Sequence, residues 1–115
     1  MAAFDLKGTV VNVGARVSVI GVITVVGSGS NPTVTVQPPL SASTFSTTAQ
    51  DIRTTEGTAP GGALGNAVTV GNDCTATGRV TAVSGSGNTA TLTVQLSVSG
   101  NSISVPSGAC YTDGE

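Results

Sequence analysis

The chain has no histidine, no tryptophan, two cysteines, and only ten charged side chains among its 115 residues. Each shortage removes a class of function. Without histidine the commonest general base, and the usual partner of a Ser or Cys nucleophile, is missing. Two cysteines with no histidine fall short of the ligands a structural zinc site needs. The cations Lys7, Arg16, Arg53 and Arg79 are scattered through a chain of net charge −2, so no basic patch exists to neutralise nucleic-acid phosphates. Phe4, Phe45 and Tyr111 are the only aromatics, too few for a base-stacking platform. No apolar run approaches the roughly 18 residues of a membrane helix. The N-terminus, "MAAFDLKGTVV", lacks the pattern of a secretory signal, so synthesis in a cytoplasm is expected.

The remaining acidic residues offer little chemistry. Asp51 and Glu56 are the one pair close enough in sequence to suggest acid–base work. They flank Arg53 and read as solvated charges of a surface turn. "GSG" and "APGG" lack the G-x-x-x-x-G-K-[ST] spacing of a phosphate loop and read as turns. Asp51 and Asp73 lack the spaced oxygen ligands of a calcium loop. The expectation is therefore no enzyme, no cofactor and no metal.

What is present is Val, Ile and Thr in alternation, the composition of half-buried strands. It is also written twice. Val11–Gly29, "VNVGARVSVIGVITVVGSG", aligns with Val68–Gly87, "VTVGNDCTATGRVTAVSGSG". Gly71 and Gly78 follow Gly14 and Gly21 by 57 positions. After one inserted residue at Ser84 the offset is 58, and "TVTVQ" at 33–37 meets "TLTVQ" at 91–95. The same offset continues through Phe45/Ile103, Ser46/Ser104, Ile52/Cys110 and Thr54/Thr112. Such order with one indel indicates an internal duplication. The expected organisation is an arm at 1–7, a repeat at 8–56, the Gly/Pro-rich linker 57–65, and a second repeat at 66–115.

Within the second repeat Cys74, Ala76, Val80 and Ala82 share one parity and predict an inward face; Thr75, Thr77, Arg79 and Thr81 predict the outward one. Gly21 and Gly78 interrupt this strand and predict a sharp bend or close backbone approach. Leu92, Val94, Val34 and Val36 are expected in the core. Turns recur every eight to twelve residues, the signature of an all-β sandwich or barrel. A V-x-V-G opening, a long strand bent at Gly, a T-V-T-V strand and a short terminal strand together resemble small SH3-like barrels. That resemblance implies two tandem five-stranded barrels; a single immunoglobulin-like sandwich is the alternative. The aromatic groove of peptide-binding SH3 domains has no counterpart here.

Where the copies differ, their surroundings are expected to differ. Ile20 and Val22 stand where the second copy has Thr77 and Arg79, and Pro38-Pro39-Leu40 replaces Leu96-Ser97-Val98. A small barrel gains by packing against something else. Ile20, Val22, Pro38, Pro39, Leu40 and the arm residues Phe4 and Leu6 are therefore candidate interface residues. Cys74 replaces Val17 and Cys110 replaces Ile52, so both should point inward, either as free thiols or, if the first and last strands are neighbours, as a disulfide.

A small, weakly charged, Thr/Ser/Val/Gly-rich tandem β protein resembles the capsid decoration or cement proteins of tailed bacteriophages. That resemblance implies a virion location, a major capsid protein or other virion component as partner, and a homo-oligomer, with a trimer favoured. Head-completion and tail components fit the same class. The competing expectation is a carbohydrate or cell-surface binding module, for which only Tyr111 offers a stacking face. A threonine array for binding ice would need many more short repeats than two.

Overall fold

The computed structural model describes residues 3–28, 32–39, 43–53, 68 and 70–112; Leu40, Glu56 and the linker 57–65 lie outside them. Its strands are β1 (Ala3–Phe4), β2 (Val10–Val11), β3 (Arg16–Val26), β4 (Thr33–Gln37), β5 (Phe45–Thr48), β6 (Asp73–Ser84), β7 (Thr91–Leu96), β8 (Ser102–Pro106) and β9 (Cys110–Thr112). Short 3-10 turns follow β5 and β8. There is no α-helix among the described residues.

β1 and β2 pair alone; the other seven strands form one antiparallel sheet ordered β5-β4-β3-β6-β7-β8, with β9 added to β3. The end strands β5 and β8 lie against each other, so the sheet curls into a nearly closed barrel. The all-β, small-barrel class is therefore what the fold shows, without the two facing sheets of a sandwich.

The sheet is built around the pairing of the two copies. β3 and β6 run antiparallel from Arg16 opposite Arg79, through Val19 opposite Ala76, to Val22 opposite Asp73. Replacing every residue by its aligned counterpart returns the same pairs. A local two-fold axis therefore passes through Val19 and Ala76. The flanking bonds obey it: Gly14 N donates to Val80 O and Gly71 N to Ile23 O, both at 2.8 Å.

The copies also exchange their last strands. β9, from the second copy, pairs with β3 of the first, Tyr111 opposite Ser18 and Cys110 opposite Val19. Reciprocally, Arg53 bridges to Thr75 on β6. First and last strands are neighbours, as an SH3-like order implies, but across the copies, and the two repeats share one sheet.

Each long strand turns its corner by the same device. The register shifts between Ile23 and Val25, and again between Val80 and Ala82. Thr24 and Thr81 are the extra residues, their hydroxyls donating to Thr35 O and Thr93 O at 3.2 and 3.3 Å. A bulge inverts the alternation beyond it. Val26 and Val83 therefore pack against the core, while Ala82, expected inside, is exposed.

Val17, Val19, Ile23, Val34, Val36, Leu92, Val94 and Val105 are buried as the alternation predicts. Burying each such side chain is worth about 1.5–3 kcal/mol. In a chain with so few charges, this burial carries the fold. Gly21 and Gly78 lie where neighbouring backbone comes closest. A Cβ at 21 would sit 2.9 Å from Gln37 O, and one at 78 would penetrate Gln95 O and approach Val94 Cγ1 to 2.8 Å.

Asp51, expected in a solvated turn, is instead buried. Its carboxylate accepts the Thr47 and Ser99 hydroxyls and the Ser99 amide, the last at 3.0 Å. Asn101 Nδ2 donates to Thr47 Oγ1 at 3.2 Å. The carboxylate thus ties β5 to the turn between β7 and β8, where the barrel comes closest to closing. Local sequence could not show this, because Ser99 and Asn101 are some fifty residues away.

Overpacking typically costs about 1–3 kcal/mol. Gly78→Ala and Gly21→Ala should each lower the urea midpoint at unchanged slope, and Gly78→Ala should cost more because its methyl would press closer on the Gln95 backbone than one at 21 would on Gln37. Equal stability of Gly78→Ala and the parent protein would show that the corner is looser than described.

Candidate functional site: an apolar groove where the copies diverge

The outward face of the β3–β6 ribbon carries four cross-strand pairs: Arg16/Arg79, Ser18/Thr77, Ile20/Thr75 and Val22/Asp73. The local axis maps the first two onto the last two. One end is thus doubly cationic and the other is apolar with a single acid. Ile20 is half-buried and Val22 is 40% exposed. Beside them Pro38 is buried and Pro39 exposed. These four residues, together with Gln37, Thr75, Asp73, Arg53 and the strand positions Gly21 and Cys74, line one groove of about 830 Å³. That volume lies within the usual range for binding clefts, about 300–1,000 Å³.

Backbone chemistry opens the groove on this side. In the second copy Ser97 N donates to Thr77 O at 3.0 Å and Leu96 N to Asn101 O at 2.8 Å, so the chain stays tied to its neighbours past the end of β7. The aligned residues in the first copy are Pro38 and Pro39, which have no amide hydrogen to give. β4 ends at Gln37, and the chain beyond it becomes a wall of the groove. The equivalent region of the second copy is finished differently. Tyr111 lies opposite Ser18, Ser18 Oγ and Thr77 Oγ1 are 3.2 Å apart, and Lys7 Nζ sits 5.3 Å from the Tyr111 ring centroid.

The sequence-based candidates divide. Ile20, Val22, Pro38 and Pro39 converge on the groove. Phe4 and Leu6 are 37% and 47% exposed but belong to the arm. That arm runs along the other copy, with Phe4 N donating to Gly87 O at 2.9 Å and Leu6 N to Cys110 O at 2.8 Å. Arg53, Thr75 and Asp73 in the groove were not singled out by sequence. Their mismatches with Tyr111, Ser18 and Arg16 carry the same signal as Ile20 and Val22 do.

Asp5 pins the arm. It is only 2% exposed, and it accepts the amides of Lys7 (2.9 Å), Thr9 (2.8 Å) and Thr112 (2.8 Å) and the Thr112 hydroxyl (3.1 Å). Burial alone would raise its pKa, but these donors more than offset that, and the pKa is lowered from the ordinary 3.8.

The cysteines are both free and buried. Cys74 faces Gly21 across one edge of β3 and Cys110 faces Val19 across the other. Two strand spacings, about 10 Å, separate their strands, beyond the roughly 7 Å between Cα atoms that a disulfide spans. The bridge left open by sequence is not made, because the exchanged β9 puts β3 between the two residues. Burial, and then the nearby Asp73 charge, pushes the Cys74 thiol up to about 12; burial and Asp5 do the same for Cys110.

Among the described residues no group of three His, Cys, Asp or Glu could hold a metal ion. No helix among them is long and apolar enough to cross a membrane. The groove combines apolar side chains with a cation and an anion at its walls, an arrangement suited to holding an apolar surface. Comparison with models of known protein families, with curated proteins and with solved structures finds no match.

A carboxylate with a lowered folded pKa stabilises above its unfolded value and loses that contribution as pH falls through the folded one. Asp5→Asn should therefore lower stability by about 1–2 kcal/mol near neutrality. Below pH 3.8 the difference from the parent protein should shrink, as chemical denaturation along a pH series would show. The thiols supply a second check. At pH 8 neither cysteine should react with an aromatic disulfide reagent in the folded protein, and both should react in urea. Rapid labelling of native Cys110 would contradict its placement.

Proposed function

We propose that this protein is a non-catalytic structural component of a virus particle, a capsid decoration or cement protein of the tailed-phage kind that binds and stabilises the outer shell. The observation that carries this reading is the apolar groove formed where the first copy departs from the second, at Ile20, Val22, Pro38 and Pro39. A duplicated barrel needs no such departure to fold, since the second copy closes the same place with Leu96, Ser97 and Thr77. Exposed apolar surface on a compact scaffold is what a contact site requires. The low charge and the Ser/Thr surface fit a protein whose task is adhesion, and two of the chain's six carboxylates are engaged inside the fold. Asp5 and Asp51 are both taken up by internal hydrogen bonds. The function is then passive: a rigid barrel bridges neighbouring shell subunits and opposes their separation. The major capsid protein is the partner this reading names.

Purified protein should co-sediment with undecorated capsids and raise the temperature at which they disrupt. Ile20→Asp combined with Val22→Asp should reduce that binding at least tenfold while the protein's own melting temperature holds within a few degrees. Full decoration by the double variant would refute the groove as a contact. Retention on polysaccharide columns, lost in Tyr111→Ala, would replace the virion reading with a carbohydrate module.

A further inference from the structure

We propose that the barrel has a built-in opening: its end strands part along the β5–β8 seam ahead of the rest of the sheet, and the Asp51 cluster is the latch that holds them together. Every other neighbouring pair in the sheet is joined by a backbone ladder, but among the described residues no backbone bond crosses from β5 to β8. Hydrogen-bonded pairs alternate along an antiparallel ladder. Ala49 N donates to Pro32 O at 2.8 Å, one pair beyond Thr33/Thr48, so Val34/Thr47 and Val36/Phe45 are the bonded pairs of β4 and β5. The backbone groups of Ser46 and Thr48 therefore point away from β4, toward the seam. Ser107 N donates to Ala90 O at 2.7 Å and Leu96 N to Asn101 O at 2.8 Å, which by the same rule turns Ser102, Ser104 and Pro106 toward it from β8. Pro106 has no amide hydrogen to give. Two edges thus face each other without a ladder between them.

Side chains hold the edges instead. Thr47 and Asp51 come from the first copy and Ser99 and Asn101 from the second, and the Asp51 carboxylate accepts from both Thr47 and Ser99. The local axis that relates β5 to β8 does not repeat this latch, because Ala109 and Val105 stand where Asp51 and Thr47 would, and both are buried and apolar. Parting the seam leaves β3 on β6, β9 on β3, Arg53 on Thr75, and each end strand on its own neighbour. It uncovers Phe45, Ile103 and Val105 and returns the Asp51 carboxylate to water, which offsets part of the lost bonds. Thr48 Oγ1, buried on β5 without a partner, gains water too. Opening a few contacts while the ladders stay intact costs less than global unfolding. The proposal does not depend on the virion reading, since it concerns the protein alone in solution.

Thiol labelling of the full chain tests it, with an aromatic disulfide reagent as the probe and peptide masses to tell the sites apart. Ile103→Cys places a buried thiol on a seam strand, while Cys74, on β6, reports unfolding of the whole sheet. Without denaturant the introduced thiol should label at least about tenfold faster than Cys74, because it needs only the seam to part. Adding Asp51→Ala should speed both sites by the same factor, about tenfold or more, since the latch is broken in the opened and the unfolded states alike. Gly78→Ala strains the β6–β7 corner, which stays joined when the seam parts, and should speed Cys74 while leaving the introduced thiol unchanged. Ser99→Ala gives the same reading as Asp51→Ala with a smaller change, and Val105→Cys repeats the labelling on the same strand with less volume lost. Equal labelling of the introduced thiol and Cys74 would overturn the proposal by showing that the seam opens only with the whole molecule. A latch variant that speeds Cys74 alone would overturn it by placing the opening elsewhere.

Discussion

The antiparallel pairing of β3 with β6 is the contact on which the rest of the molecule depends. Among the described residues it is the only place where the two copies join edge to edge over a long register, and its centre at Val19 and Ala76 sets the local two-fold axis. From that register follow the exchanged last strands, because the edge of β3 facing away from β6 is left for β9, and the matching edge of β6 for Arg53. The barrel then closes from both ends of one sheet. Neither repeat can be taken away without removing a strand from the other's sheet.

The same axis gives the surface its meaning. Symmetric backbone presents equivalent positions at both ends of the ribbon, so differences there are differences of side-chain chemistry on a common shape. Pro38 and Pro39 remove donors that Leu96 and Ser97 keep, and the groove opens on one side only. Arg16 and Asp73 invert the charge between the two ends. A duplicated protein with identical halves would have two like ends. This one has two chemically unlike ends on a common backbone shape.

Much of the architecture was legible in the residues. The duplication, the strand parity, the burial of Leu92, Val94, Val34 and Val36, and the inward cysteines all rest on periodicity, which local sequence carries directly. The grouping of Ile20 and Val22 with Pro38 and Pro39 came from comparing the copies. Other features were hidden because they depend on partners far along the chain. Asp51 looks like a surface charge until Ser99 and Thr47 enclose it, and Asp5 looks like an arm residue until Thr112 reaches it from 107 positions away. Ala82 was misplaced because one bulged residue, Thr81, inverts every side chain beyond it.

The sequence by itself determined that this is a duplicated all-β chain with a core of branched aliphatic residues, since alternation and repeat length are properties of the chain alone. Tertiary structure decided how the copies share strands, and with that the fate of Cys74 and Cys110 and the position of the groove. The reason is that backbone hydrogen bonds do not record which edge they will meet. A strand's pattern states which face is apolar, while its partner is chosen only when the whole sheet closes.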